Sequence, residues 1–211
     1  MLWLSGSPVG AWSSDDGAVA VFGAESGKSV VVDSSGNVYT TGYFANGDFD
    51  PGSGTTNLTS NGGYDVFVSK LDSSGNYVWA KSFGGTHTDY GFSVAVDSSG
   101  NVYTTGYFNG TGDFDPGSGT ANITSNGNTD VFVSKLDSSG NYVWAKNLGG
   151  TDGDGGYSVA VDSSGNVYTT GTFKNTVDFD PGPGTTNLTS NGYVDVFVSK
   201  LDSSGNYVWA K

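Results

Sequence analysis

The sequence predicts an all-β protein built of tandem four-stranded antiparallel sheets, and three observations carry that prediction. The five residues DSSGN recur unchanged at 33–37, 72–76, 97–101, 137–141, 162–166 and 202–206. The segments around them repeat, with Leu71, Leu136 and Leu201 standing 65 residues apart. The chain has 35 glycines with no triplet period, so they punctuate many short strands rather than build a collagen-like fibre. Hydrophobic residues reach only 35%, but an aromatic content of 14% argues for a packed core.

The DSSGN pentapeptides alternate between two contexts, SVAVDSSGNVYTTG and FVSKLDSSGNYVWAK, so each repeat of about 65 residues holds two of them. Within the middle repeat, SVAVD (93–97), NVYTTGYF (101–108), DVFVSKL (130–136) and NYVWAK (141–146) are short and rich in β-branched and aromatic residues. Each is bounded by Gly, Asn, Asp or Ser, which reads as four strands per unit. DSSGN joins the first strand to the second and the third to the fourth. Its Asp can accept backbone N–H groups in an Asx turn, while Gly or Asn can take a positive φ. Strand direction alternates in a meander, so both hairpins of a unit fall at one end of the sheet. The other end is expected to carry the long connection GDFDPGSGTTNLTSNGGY (47–64) and the links GGTHTDYG (84–91) and GGTDGDGG (149–156). A structureless loop as long as 47–64 is uncommon, so TTNLTSN is expected to add a short extended segment.

Tandem four-stranded sheets that are apolar on both faces describe blades of a β-propeller. The divisions are an N-terminal segment 1–28, blade 1 at 29–92, blade 2 at 93–157 and blade 3 at 158–211. Residues 18–22 read as an outer strand left over from a preceding blade. Propellers close with about 4–8 blades, so three form an incomplete ring. Two accounts stay open: the chain is a segment of a longer ribbon of blades, or a homodimer closes a six-bladed ring.

The pairing of GGYSVAVDSSGNVYTTG with DVFVSKLDSSGNYVWAK resembles the bacterial SBBP β-propeller repeat and, more distantly, the NHL blade, in three copies over residues 29–211. That resemblance implies a protein exported to the bacterial cell surface. It supplies no catalytic residues.

Charge narrows the partners. The formal net charge is −13, from 21 acidic against 8 basic residues; arginine is absent, every basic residue is lysine, and Glu25 is the one acid that is not Asp. Phosphate backbones call for a positive field, which excludes nucleic acid as an expected partner. With no cysteine there is no disulfide framework and no thiolate site. The opening MLWLSGSPVGAW lacks the basic and apolar regions of a signal peptide, and no apolar run of 18 residues is present to insert in a membrane.

The candidate chemistry is oxygen-rich. In DFDPG at 48–52, 113–117 and 178–182, an extended Asp-Phe-Asp projects two carboxylates to one side, so Asp48, Asp50, Asp113, Asp115, Asp178 and Asp180 are candidate Ca2+ ligands. Two carboxylates do not complete a calcium shell, and capping of the Pro-Gly turn is the favoured role. TDGDGG (151–156) adds Asp152 and Asp154 as metal candidates, although His87 stands where Asp152 does in the preceding repeat. His87 is the one histidine and reads as an exposed loop residue rather than the centre of a triad. The Trp and Tyr of NYVWAK read as packing between blades rather than a sugar-stacking platform. Asn57, Asn109, Asn122 and Asn187 begin N-x-S/T sequons of the kind that arise by chance in such a composition.

The function expected is that of a non-catalytic structural or interaction module of an exported surface protein, binding a protein or polysaccharide and requiring no cofactor. The alternatives are a carbohydrate-active propeller domain and a calcium-binding surface module. A deep pocket lined by residues found in one blade only, such as His87, Asp152 or Lys174, favours an enzyme.

Overall fold

The computed structural model describes residues 26–211, and all regular structure among them is β-strand. The N-terminal segment up to residue 25, with the strand expected at 18–22 and with Glu25, lies outside the described residues. The first unit contains β1 (Ser26–Val32), β2 (Val38–Phe44), β3 (Asn46–Asp48), β4 (Asn57–Thr59), β5 (Asp65–Leu71) and β6 (Tyr77–Gly85). The second contains β7 (Tyr90–Val96), β8 (Val102–Asp113), β9 (Asn122–Leu136) and β10 (Tyr142–Gly150). The third contains β11 (Gly155–Val161), β12 (Val167–Phe173), β13 (Thr176–Asp178), β14 (Asn187–Thr189), β15 (Asp195–Leu201) and β16 (Tyr207–Ala210). Each unit is an antiparallel blade, ordered β1-β2-β5-β6 in the first case and matched by β7-β8-β9-β10 and β11-β12-β15-β16.

All six DSSGN segments close hairpins by one mechanism. The Asp amide donates to the Asn carbonyl, and the Gly amide donates to the Asp carbonyl, at 2.8–3.0 Å throughout. One carboxylate oxygen accepts two further amides, as Asp97 Oδ1 does from Ser99 and Asn101. The other accepts the Asn side chain and, in the first hairpin of each blade, a tyrosine hydroxyl: Tyr39 on Asp33, Tyr103 on Asp97, Tyr168 on Asp162. The glycine takes a φ between +77° and +82° in all six, and Asn serves as donor. The two hairpins of a blade lie side by side, so that a methyl group on Gly100 would sit 3.1 Å from Ser138 Cβ.

Blades stack face to face, and the core lies between them. One cluster joins Tyr39, Val66, Val68 and Trp79 of the first blade to Val94, Val102 and Phe132 of the second; another joins Tyr103, Val131 and Trp144 to Val159, Val167 and Phe197. Trp79 and Trp144 are buried, and each indole N–H crosses to the next blade to donate to the carbonyl of Ser138 and of Ser203. The NYVWAK aromatics are therefore packing residues. At the first-strand edge, the amides of Val94 and Val159 donate to the hydroxyls of Ser29 and Ser93 in the preceding blade, at 3.3 and 3.2 Å.

The stack is open among the described residues. Val30 is 64% exposed whereas its equivalent Val94 is 5% exposed, and Val196 at 69% corresponds to fully buried Val66 and Val131. These exposed valines mark the outer faces of the first and third blades.

The long connection takes a course that the meander pattern does not predict. TTNLTSN does supply an extended segment, as β4, as β14 and as the start of β9, each pairing within a short hairpin. That hairpin, however, leaves the far end and turns back along the fourth strand of the preceding blade. Gly149 pairs with Asp178 and Gly150 with Val177, and Phe179 is fully buried in the cluster that contains Leu148. This direction carries Asp180 to Gly184 back to Lys146, Gly205, Asn206 and Tyr207, beside a DSSGN turn. The DFDPG acids of the second and third copies, whose Asp113 and Asp178 pair with Gly84 and Gly149, thus lie along the fourth-strand rim rather than on the face opposite the DSSGN turns, while β3 pairs with β4 alone among the described residues.

Gly100→Val is expected to lower stability by about 1–3 kcal/mol, because a β-branched residue resists a φ of +79°. Gly75→Val, at +82° with nothing within 4 Å of the new Cβ, isolates the backbone cost and should be the milder of the two. Equal melting temperatures for wild type and Gly100→Val would contradict the turn assignment.

Candidate functional site

At the far end of the blades the second strands and the links leave an open cleft at each junction. The first, of about 440 Å³, is lined by Thr86, His87, Thr88, Tyr90, Tyr107 and Asn109 among others. The second, of about 490 Å³, is lined by Tyr107, Asn128, Asp154, Tyr157, Lys174 and Tyr193 among others. Aromatic rings run between them from blade to blade. Tyr43 meets Tyr90 with centroids 4.4 Å apart, Tyr90 lies 5.0 Å from Tyr107, and Phe92 lies 5.6 Å from Tyr157. Burial, followed by neighbouring phenols, pushes the Tyr90 and Tyr107 hydroxyls up, which favours their uncharged form. Tyr157 and Tyr193 are exposed, and Lys174 Nζ lies 4.6 Å from the centre of the Tyr193 ring.

Each of the DFDPG metal candidates accepts backbone amides through its Oδ1. Asp48 Oδ1 accepts from Asp50 N and Thr56 N, Asp113 Oδ1 from Asp115 N and Ala121 N, and Asp178 Oδ1 from Asp180 N and Thr186 N. Asp50, Asp115 and Asp180 each accept the amide two residues on, from Gly52, Gly117 and Gly182. These bonds give the six carboxylates the capping role. Asp152 accepts the side-chain amide of Asn175 at 2.7 Å. Asp154 is buried and accepts the backbone amides of Gly150 and Lys174. Among the described residues, no three His, Asp or Glu side chains gather to hold a metal ion.

His87 is exposed, 3.4 Å from Thr86 Oγ1, and lines the first cleft, while Lys174 lines the second. Residues peculiar to one blade therefore do meet the two clefts. Both clefts are open rather than deep, the first has no carboxylate in its lining, and in the second Asp154 spends both oxygens on backbone amides. That arrangement offers surface for binding and no free acid pair for glycoside hydrolysis.

Two buried carboxylates stand at each junction, and of the four only Asp154 was singled out by sequence, as a metal candidate. Asp65 stands at the start of β5 with Asp89 in the following link, and Asp130 and Asp154 repeat the arrangement. Asp89 accepts the amides of Gly85 and Asn109, as Asp154 does at the next junction. The available signal was an Asp opening each apolar DVFVSKL strand, where a carboxylate is out of place unless something holds it.

Comparison with known proteins agrees with this geometry. A family described as SBBP, a beta-propeller repeat, matches at residues 78–115 and 143–172. The chain carries SBBP repeats. Each matched SBBP segment runs from a fourth strand through the link into the second strand of the next blade, and so spans a junction rather than a blade. One relative is an uncharacterized WD repeat-containing protein, L264, of Acanthamoeba polyphaga mimivirus, 29% identical over 87% of this chain and 15% of that protein. Another is the regulatory protein FlaEY of Caulobacter vibrioides, 30% identical over 67% of this chain and 14% of that protein. The chain thus spans about one seventh of the length of either relative.

Two outcomes are expected. Asp48→Ala should cost about 1–2 kcal/mol by leaving the amides of Asp50 and Thr56 without their acceptor, equally in EDTA and in millimolar calcium; a loss seen only with calcium would replace the capping role by an ion site. The DSSGN carboxyls should also set an acid limb of unfolding. Hydrogen bonding from the Asn166 side chain leads the forces that hold Asp162 down at about 2, and the Asn76 side chain does the same for Asp72 in direction. At Asp33, Asp97 and Asp137 burial is the largest influence and opposes this, but the Asn and backbone bonds together outweigh it. A depressed folded value means stability present above the ordinary aspartate range and lost as pH falls towards about 2. Melting temperatures that stay level from about pH 4 to pH 2 would contradict it.

Proposed function

We propose that this propeller-repeat chain is a non-catalytic interaction scaffold whose far-end clefts receive a protein partner. The observation that carries the proposal is the continuous aromatic ribbon, Tyr43, Tyr90, Phe92, Tyr107 and Tyr157, running past two open clefts whose linings also hold Thr and Asn side chains, with His87 in the first and Asp154 and Lys174 in the second. Tyrosine offers a large, rigid, amphipathic contact at low entropic cost, and Thr and Asn supply adaptable hydrogen bonds. A regular series of such subsites suits an extended segment that crosses several blades. The names of the WD-repeat and regulatory relatives support an interaction role. On the resemblance of its repeats, the parent protein is proposed to act at a bacterial cell surface, with further blades of that protein or a second copy meeting the exposed valine faces.

A second reading, a neutral polysaccharide lying on the exposed rings of Tyr157 and Tyr193, uses the same surface. Both readings are tested together by presenting the chain to a displayed peptide library and a glycan array. A peptide ligand is expected, with affinity falling at least tenfold in Tyr107→Ala/Tyr157→Ala and unchanged in Val208→Ser, away from the ribbon. Selective glycan binding lost in the same double variant would move the assignment to polysaccharide. Turnover of a glycoside or ester that disappears with His87→Ala would overturn the non-catalytic proposal.

A further inference from the structure

The buried carboxylates at the blade junctions take no part in capping the turns or in forming the ribbon. Asp65 is 1% exposed, its Oδ2 accepts the amide of Asn61, and its Oδ1 has no hydrogen-bond partner. Asp89 is fully buried beside it. Gly84 separates the two so closely that a methyl group there would lie 2.6 Å from Asp89 Oδ2 and 2.8 Å from Asp65 Oδ1. The second junction repeats the set: Asp130 Oδ2 accepts from Asn126, Asp130 Oδ1 is buried with no bond of good geometry although the Asn147 side chain lies close enough to favour the charged form, and the charge of Asp154 repels it. A methyl group on Gly149 would overlap the Asp130 carboxyl.

Two adjacent buried carboxylates, with no ion pair to either among the described residues, leave one oxygen without a well-placed donor. A carboxylate oxygen in that position loses its hydration and gains nothing in exchange. A cation would answer the charge, but both oxygens of Asp89 and of Asp154 already accept amides, so each junction has one free oxygen rather than a ligand shell. One proton needs only that oxygen. We propose that each blade junction is a proton-binding site, Asp65 with Asp89 and Asp130 with Asp154, which fills under mildly acidic conditions and tightens the stack.

The third blade supports a dependence on stacking. Asp195, the counterpart of Asp65 and Asp130, accepts the amide of Asn191 in the same way but has no blade over it among the described residues and is partly exposed. The site therefore exists only where a second blade closes on the first.

The groups around each pair set the sign. At the first junction, His87 on the link exerts an attraction that favours the charged form of Asp89, and Asp113, the strand partner of Gly84, is spent on its own turn. At the second, Asp152 raises and Lys174 lowers the value of Asp154, and Asp178 is the strand partner of Gly149. Burial dominates over all of these: it pushes Asp65 and Asp130 up to about 6 and raises Asp89 and Asp154, with each pair's mutual repulsion adding to Asp65 and Asp130. The proton belongs to the pair rather than to one member. Because the folded value exceeds the unfolded one, the stabilisation is complete at about pH 4 and is lost as pH rises through about 6, on the order of 100-fold in the folding equilibrium per junction.

The test is the melting temperature at pH 5 and pH 8, at fixed ionic strength, for the whole chain and three variants. Wild type is expected to melt higher at pH 5. Asp65→Asn/Asp130→Asn, which mimics the neutral acid, should abolish the difference by raising the value at pH 8. Asp195→Asn and His87→Gln should keep the wild-type difference, since neither removes a junction acid. A wild type with no difference, or a double variant that retains it, overturns the proposal. If the double variant does not fold, carbon-13 carboxyl titration of the wild type decides: junction carboxyls titrating near pH 6 support the site, and all Asp titrating below about pH 4.5 sinks it.

Discussion

A four-stranded sheet with apolar side chains on both faces cannot stand alone in water, and the rest of this structure follows from that constraint. Val66 and Val68 on one blade, and Val94 on the next, are buried only because the blades close on each other. The polar fittings obey the same geometry. The indole N–H of Trp79 would be costly to bury without an acceptor, and it finds one in the turn of the following blade. The short ladder from Gly84 and Gly85 to Asp113 and Gly112 then ties the fourth-strand edge to the next blade's second strand. Stability is held at junctions, and the segments that match the SBBP family run across them.

This accounts for what was legible in the sequence. A DSSGN hairpin is closed by bonds within five residues plus one tyrosine, so its pattern carries its structure: Asp97 meets Ser99, Asn101 and Tyr103, and Gly100 takes the positive φ. Four strands per repeat and the extended TTNLTSN segment were readable for the same local reason. The capping role of the DFDPG acids was readable too, since Asp48 bonds to Asp50 and Thr56 a few residues away.

What escaped was set by contacts between blades. The DFDPG hairpin turns back because Phe179 buries against the previous blade and Asp178 pairs with Gly149, neither of which strand periodicity records. The aromatic ribbon escaped because Tyr43, Tyr90 and Tyr157 lie in three separate strands and become neighbours only on stacking. Asp65 opens a strand directly after a glycine-rich loop, which by itself says nothing of burial. Its burial comes from the link that carries Asp89 over it.

The two ends of the blades are under unequal constraint, and that inequality places the variable residues. At the DSSGN end the two turns of a blade pack on each other, as Gly100 does on Ser138, and the second turns of the second and third blades offer a carbonyl to the preceding blade's tryptophan, so a change there disturbs two blades at once. At the far end the links need only a glycine pair to cross the junction and an aspartate to bind two amides, Gly85 and Asn109 in one case, Gly150 and Lys174 in the other. The position between them is free to be His87 in one link and Asp152 in the next. Chemical individuality therefore accumulates beside the aromatic clefts, where a partner would read it, while the opposite end stays uniform because stacking requires it.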